Sequence, residues 1–131
     1  MSVPMPTITA LYAALQGLVM LGLLVPLGRL RAQTNVSLYD GGNPELAAAI
    51  RRHANWTEYV PFALLLLALL ELNGASAGLL HGLGATLLVA RIAHPFGIDP
   101  KVMRRPLRAI GAGLTMIVIL VSVVALLLET L

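Results

Sequence analysis

Residues 43–72 read NPELAAAIRRHANWTEYVPFALLLLALLEL, and this stretch decides the fold of the chain. Asn43 is a preferred N-cap and Pro44 a preferred first helical residue, so a helix is predicted to begin here. Most of the residues that follow are strong helix formers. At about 1.5 Å per residue, the segment is long enough to cross a bilayer and project beyond it. Its second half, residues 62–70, is apolar on every side and is predicted to lie in lipid or in a bundle core.

The first half of the same helix carries a polar stripe. Arg51, Asn55 and Glu58 are spaced i, i+4 and i+7, which puts them on one helix face. Arg52 and Tyr59 flank that face. Charged and amide side chains this close to a membrane core are costly unless they are paired or face water. The stripe is interpreted either as a helix end that dips into lipid headgroups or as the wall of a polar pocket for a small charged ligand.

The composition of the 131 residues excludes an ordinary soluble domain. The chain is 58% hydrophobic and 11% charged, with a mean hydropathy of +0.87. These values predict an all-α integral membrane protein with a single four-helix transmembrane domain over residues 1–131. There is no cysteine, so disulfides and thiolate metal sites are excluded. The net charge of +3 is interpreted as a topology signal, and no nucleic-acid partner is expected.

The remaining spans follow from the apolar runs and the residues between them. They are predicted at about residues 7–30, 75–93 and 107–128. Thr7 is expected to cap the first helix, and a polar loop follows at residues 32–42. Pro61 is expected to interrupt the second helix beside the polar stripe, and Asn73–Gly74 to form a tight turn.

Small residues recur at helical spacing in the last two spans. Gly74, Gly78 and Gly82 lie four residues apart and predict a ridge for close helix packing. Ala109 and Gly113 form a similar pair in the fourth span.

All nine basic residues lie near two of the three predicted loops. They are Arg29, Arg31, Arg51 and Arg52 around the first loop, and Arg91, Lys101, Arg104, Arg105 and Arg108 around the third. With four spans, these two loops lie on the same side of the membrane. The positive-inside rule makes that side cytoplasmic and both termini external. This clustering of basic residues also forms a positively charged funnel at one end of the bundle, which is suited to bind an anion.

The arginines and histidines allow more than one role. Arg52, Lys101 and Arg105 are interpreted as topology determinants that contact lipid phosphate. For Arg51, Arg91 and Arg108, lipid contact and ligand binding both stay open, and Glu58 is expected to pair with Arg91 or Arg51 or to bind a ligand ammonium group. The three histidines, His53, His81 and His94, fall at different depths on different helices, so no shared metal or haem site is predicted.

Residues 51–61, RRHANWTEYVP, resemble the second-helix signature of the MAPEG family, the membrane-associated proteins in eicosanoid and glutathione metabolism. That signature is an Arg, then Asn, then Glu-Tyr, then Pro at this same spacing. Residues 91–94 look like the ending of the family's third helix, and residues 104–108 like the beginning of its fourth. The resemblance covers nearly the whole chain and is closest in character to short bacterial members.

The resemblance implies a MAPEG-like homotrimer in a bacterial inner membrane, with glutathione bound as co-substrate between subunits near the cytoplasmic face. It implies a microsomal-type glutathione S-transferase or peroxidase that acts in detoxification on hydrophobic electrophiles, with membrane lipids as further partners. A non-catalytic protein that binds lipid or glutathione on the same fold is the alternative.

A four-span multidrug transporter is disfavoured, because no Asp or Glu occurs within residues 1–33.

The resemblance also assigns roles to individual residues. The implied catalytic residues are Arg108 and, as the alternative, Arg104; the implied glutathione-binding residues are Arg29, Arg51, Asn55, Glu58, Tyr59 and His94. The residue chemistry agrees, because guanidinium groups pair with carboxylates and a nearby cation increases the thiolate fraction of a thiol. Ile98 and Ala112 stand where some family members carry tyrosines that supply ring stacking and hydroxyl contacts.

Overall fold

The computed structural model describes residues 5–102 and 106–131, which form an all-helical bundle. Its helices are α1 (Thr7–Thr34), α2 (Pro44–Leu72), α3 (Ala77–Phe96) and α4 (Pro106–Thr130). All four are long and apolar enough to cross a membrane, as predicted. Helices α1 and α4 each contact α2 and α3, and no contact joins α1 to α4 within the described ranges. The pair α2 and α3 is therefore the middle of the bundle.

The core lies where α2, α3 and α4 meet. Its fully buried side chains include Leu67, Leu70, Leu87 and Val118. The outward faces are apolar as well, and Leu120 of α4 is 62% exposed. Large apolar side chains around the outside of a helical bundle are typical of a lipid-facing surface.

Helix α2 begins as the sequence predicts and then continues through its proline. The side-chain oxygen of Asn43 accepts hydrogen bonds from the backbone N–H groups of Glu45 and Leu46, each at 3.0 Å. The prediction that Pro61 interrupts the helix is wrong, because α2 is continuous to Leu72. A proline removes one backbone donor, and the neighbouring turns and packed helices keep the remaining bonds in place. The tight turn at Gly74, with φ of +86°, is confirmed.

The N-terminus of α1 is capped by a carboxylate from α2 rather than by one of its own side chains. The prediction that Thr7 caps it is wrong: the N-cap position is Pro6, which makes no side-chain cap bond. Instead, the N–H of Ile8 donates to Oε1 of Glu71 at 2.8 Å and the N–H of Thr9 to Oε2 at 2.7 Å. A carboxylate satisfies two N–H groups at once and interacts favourably with the positive end of the helix, which a hydroxyl cannot match.

The glycines that bring the helices together are not the ones predicted. A Cβ atom at Gly84 would overlap the ring of Tyr12, so α1 and α3 pack closely at this glycine. A Cβ at Gly78 or Gly82 would meet open space, and Gly74 belongs to the turn. Within the described subunit, the predicted ridge therefore makes no close helix contact.

Candidate functional site

The polar stripe of α2 contains a surface ion pair. The terminal nitrogens of Arg51 donate to the two carboxylate oxygens of Glu58 at 3.2 and 3.4 Å. The two side chains are 55% and 46% exposed. Of the two partners expected for Glu58, the structure selects Arg51 rather than Arg91. An exposed pair of this kind contributes only about 0–1 kcal/mol to stability, so both charges stay accessible to a ligand.

Arg91 of α3 is buried between α2 and α4, with only 2% of its surface exposed. One terminal nitrogen donates to Oδ1 of Asn55 at 2.9 Å, and the other donates to the carbonyl oxygen of Gly111 at 3.1 Å. Its guanidinium carbon lies 5.9 Å from the centroid of the Tyr59 ring, within cation–π range. A single arginine thus connects the polar stripe to both neighbouring helices.

Arg108 completes a cluster of three arginines around His94, at the end of the bundle where α2 and α4 begin. His94 lies one turn beyond Arg91 and is 4% exposed. A Cβ at Gly111 would fall 2.7 Å from the Cβ of His94, so α3 and α4 pack tightly there. The guanidinium groups of Arg91, Arg108 and Arg51 are all close enough to act on His94 electrostatically. Three helices therefore contribute positive charge to one region.

A small cavity of about 60 Å³ opens between α2 and α4 beside this cluster. Its lining residues are Asn55, Tyr59, Arg91, Ala112, Thr115 and Met116. The hydroxyl of Thr115 is buried and donates to the carbonyl oxygen of Gly111 at 2.8 Å. The only guanidinium group in the wall belongs to Arg91, and none of the lining residues is acidic.

The structure brings together most, but not all, of the predicted site residues. Arg51, Asn55, Glu58 and Tyr59 share the α2 face, and His94 and Arg108 join them from α3 and α4. No hydrogen bond or ion pair links Arg29 of α1 to this cluster within the ranges that the structure describes. Arg104 lies outside the described residues.

Arg52 has a role that the sequence did not indicate. Its Nε donates to the carbonyl oxygen of Pro95 at 3.1 Å, and one terminal nitrogen donates to the carbonyl oxygen of Ile98 at 2.6 Å. The Pro95 carbonyl lies in the last turn of α3 and also accepts from the Ile98 N–H, whereas Ile98 itself follows the helix by two residues. Arg52 therefore connects α2 to the end of α3, beyond the lipid contact predicted for it.

The opposite end of the bundle holds a second set of polar contacts. The Tyr12 hydroxyl lies 3.1 Å from Nδ1 of His81 and donates to the His81 carbonyl oxygen at 3.2 Å. Farther along α1, the indole N–H of Trp56 donates to Oε1 of Gln16 at 3.0 Å. These bonds join α1 to α2 and α3. His81 and His94 both belong to α3, so the prediction that the histidines lie on different helices is wrong for this pair; thirteen residues, or about 20 Å of helix, separate them.

The sequence profile of the MAPEG family matches residues 9–128 of this chain. The chain belongs to the MAPEG family. This confirms the resemblance seen in residues 51–61. The chain is also 38% identical over 118 residues to the inner membrane protein YecN of Escherichia coli strain K12, a match that covers 90% of this chain and 88% of YecN. YecN of Escherichia coli O6:H1 matches to the same extent. No solved structure matches this MAPEG chain.

Proposed function

We propose that this protein is a glutathione-dependent transferase or peroxidase of the bacterial inner membrane that acts on hydrophobic electrophiles. The observation that carries the proposal is the meeting of the α2 stripe with Arg91, His94 and Arg108 at one end of the bundle. Membership of the MAPEG family supports glutathione as the ligand. The name of the relative YecN and the four apolar helices support the inner membrane as the location.

The charges of the cluster complement those of glutathione, which carries two carboxylates, one ammonium group and a thiol. Arg51 and Glu58 are half exposed and already oriented by each other, so the ligand's carboxylate and ammonium can exchange into that pair. Asn55 and Tyr59 lie on the same face and offer an amide and a hydroxyl to the peptide backbone. All four of these side chains belong to one stretch of α2 and lie close to one another.

Arg108 is assigned to the thiol. A positioned cation favours the thiolate, which is the nucleophilic form. The thiolate sulfur would form a bond to the electrophilic carbon while the leaving group departs with the bonding electron pair. The electrophile would reach the site from the lipid phase, because the outward faces of the helices are apolar.

We further propose a homotrimer with the site between subunits and facing the cytoplasm. Within one subunit Arg29 does not join the cluster, so its predicted pairing with a ligand carboxylate requires a neighbouring copy. The open space beside Gly78 and Gly82 leaves a surface for such a neighbour. The one-sided distribution of Lys and Arg supports a cytoplasmic site and external termini.

A second candidate function is binding of lipid or glutathione without catalysis. Ala112 of the cavity wall and Ile98 near Arg52 favour it, because neither residue offers a ring or a hydroxyl to a ligand. This role uses the same fold and the same positive cluster but needs no activated thiol.

Isothermal titration of the detergent-solubilised protein with glutathione tests whether the protein binds glutathione at all. The ultraviolet absorbance of the thiolate is then followed against pH in the complex. Binding with a thiol pKa below the usual value of about 8.5 supports the enzyme. Binding with an unshifted thiol supports the second candidate, and absence of binding rejects glutathione as the ligand.

A further inference from the structure

Arg91 is a buried cation that has no buried anion beside it. The side chain is 2% exposed and lies within a helix apolar enough to span a membrane. Its two protein acceptors, the Asn55 amide oxygen and the Gly111 carbonyl, are both neutral. In the described part of the chain no carboxylate lies within ion-pair distance of Arg91, and Glu58 pairs with Arg51 instead. A buried guanidinium without a counter-charge is costly, so a negative partner would be strongly favoured.

The same guanidinium retains unused donors. Arginine has five N–H groups, and the hydrogen bonds to Asn55 and Gly111 use one on each terminal nitrogen. The Nε atom also lacks an acceptor among the described residues, but it is fully buried, so the donors left for a ligand are the second N–H groups of the two terminal nitrogens. Asn55 accepts from Arg91 through its oxygen, which leaves its NH₂ group to donate. Arg91 and Asn55 therefore present donors and positive charge together.

The cavity of about 60 Å³ lies directly against these two side chains. Its volume exceeds the roughly 10–15 Å³ that a single water needs, so it has room for water or for one small carboxylate. Ala112 leaves it open, since a larger side chain at this position would occupy it. No acidic residue lines it, and the Thr115 hydroxyl hydrogen is already donated to Gly111.

We propose that this cavity binds one small monovalent carboxylate, paired with Arg91 and with the amide of Asn55. A planar carboxylate fits because guanidinium donors are arranged as a fork that matches its two oxygens. The carboxylate can come from a free small anion or from one end of glutathione. The second source rests on the proposed function, whereas the first does not.

The test compares two carboxylates of different size at equal ionic strength. Acetate fits the cavity, whereas pivalate carries a tert-butyl group directly on its carboxylate carbon and is too wide to enter it, and both screen the exposed Arg51–Glu58 pair equally. Acetate is expected to raise the Tm of the solubilised protein, saturably, by about 4 °C at ten times its Kd. Equal Tm values in acetate and pivalate over the titration would overturn the proposal.

Three variants locate the effect. Ala112→Leu adds three carbons inside the cavity and is expected to abolish the acetate shift. Gly113→Val adds three carbons at the next residue, where a Cβ meets open space, and is expected to retain it. Asn55→Asp places a carboxylate next to Arg91 and is expected to raise Tm in pivalate and remove the response to acetate. An undiminished acetate shift in Asn55→Asp contradicts the proposal, even if Ala112→Leu fails to fold.

A competition titration identifies the source of the carboxylate. If a glutathione carboxylate occupies the cavity, acetate weakens glutathione binding at constant ionic strength, by about tenfold at ten times the acetate Kd. If the site takes a free anion, acetate raises Tm and leaves the glutathione Kd unchanged. Failure to bind glutathione together with an acetate shift rejects the proposed function and leaves the anion site standing.

Discussion

Arg51, Arg52 and Arg91 carry the same charge, but their surroundings give them different roles. Arg51 lies at the surface in an ion pair with Glu58, where solvent and ligand can reach both groups. Arg52 is bonded to two carbonyls at the end of α3. Arg91 is buried against neutral acceptors. At the scale of the residue, depth and partner therefore decide whether an arginine serves the ligand, the fold or both.

Glu58→Gln is expected to weaken glutathione binding while leaving the subunit folded. Loss of a hydrogen bond to a charged group corresponds to about 1.5–3 kcal/mol, or roughly a 10- to 100-fold rise in Kd. The change in unfolding free energy should stay within about 1 kcal/mol, because the Arg51–Glu58 pair is exposed. Isothermal titration and thermal unfolding measure the two effects. Glu45→Gln, the same exchange in the first turn of α2, is the matched control. Equal losses in both variants would remove Glu58 from the site.

Arg108→Leu is expected to leave glutathione bound and to raise the pKa of its thiol in the complex. Removing a positioned cation withdraws the attraction that favours the thiolate, so the titration midpoint should move toward about 8.5. Thiolate absorbance followed against pH reads this change. Arg104→Leu is the comparison. A shift only in that variant transfers the role to Arg104, and a shift in neither contradicts activation by these arginines.

At the scale of the element, polar side chains of α2 bond to the beginning of α1 and to the end of α3. Glu71 of α2 satisfies the first N–H groups of α1. Arg52, also of α2, satisfies carbonyl groups at the far end of α3. Helix ends carry unpaired backbone groups, which are costly away from water. Side chains of α2 thus stabilise the ends of both neighbouring helices, and the end of α3 is held close to His94 of the candidate site.

Glu71→Gln is expected to destabilise the protein by about 1–2 kcal/mol and to loosen the beginning of α1. The amide keeps one acceptor oxygen but presents an NH₂ group to a backbone donor, and the favourable charge at the helix N-terminus is lost. Thermal unfolding measures the loss, and faster hydrogen exchange at Ile8 and Thr9 locates it. Glu129→Gln, near the end of α4, makes the same change away from a helix N-terminus. Unchanged exchange at the two amides would contradict the capping role.

At the scale of the whole molecule, the bundle places its polar clusters at opposite ends. Glu71 and His81 lie toward the turn between α2 and α3, and the arginine cluster lies where α2 and α4 begin. The surface between them is apolar. A bundle of this kind is suited to a bilayer, with one charged end available to a soluble ligand and the apolar flanks available to lipid and to other copies.

Reporter fusions to Leu131 are expected to register an external C-terminus. All nine Lys and Arg residues lie near the two loops at the other side, and positive charge is retained in the cytoplasm. Fusions of an enzyme active only outside the inner membrane and of one active only inside it provide reciprocal signals. A cytoplasmic signal at Leu131, with an external signal from a fusion in the loop at residues 40–42, would reverse the topology.

Native mass spectrometry in mild detergent is expected to give the mass of a trimer. Gly78 and Gly82 offer a surface on which the backbone of a neighbour can pack closely, and Gly82→Leu should reduce the trimer fraction. Gly17→Leu is the matched control. A Cβ at Gly17 also meets open space, but Gly17 belongs to α1 and is not part of the Gly78–Gly82 surface. A monomer or dimer as the only species of the unsubstituted protein would count against the assembly.

The sequence by itself determined the features that depend on local geometry. The cap and proline at Asn43 and Pro44 fixed the start of α2, and apolar runs fixed the four helices. The spacing of Arg51, Asn55 and Glu58 placed them on one face, because the helical repeat sets direction without reference to the rest of the fold. Motifs within the same stretches sufficed to identify the family.

Only the tertiary structure decided which groups meet across the helices. Glu71 reaches amides 62 and 63 residues earlier in the chain, and Arg91 bonds to α2 and α4. The cap assigned to Thr7 was wrong for this reason, since a distant carboxylate took the place of a local hydroxyl. Such partners depend on the distance and rotation between packed helices. Periodicity along one helix specifies the direction of each side chain but leaves the neighbour opposite it undefined.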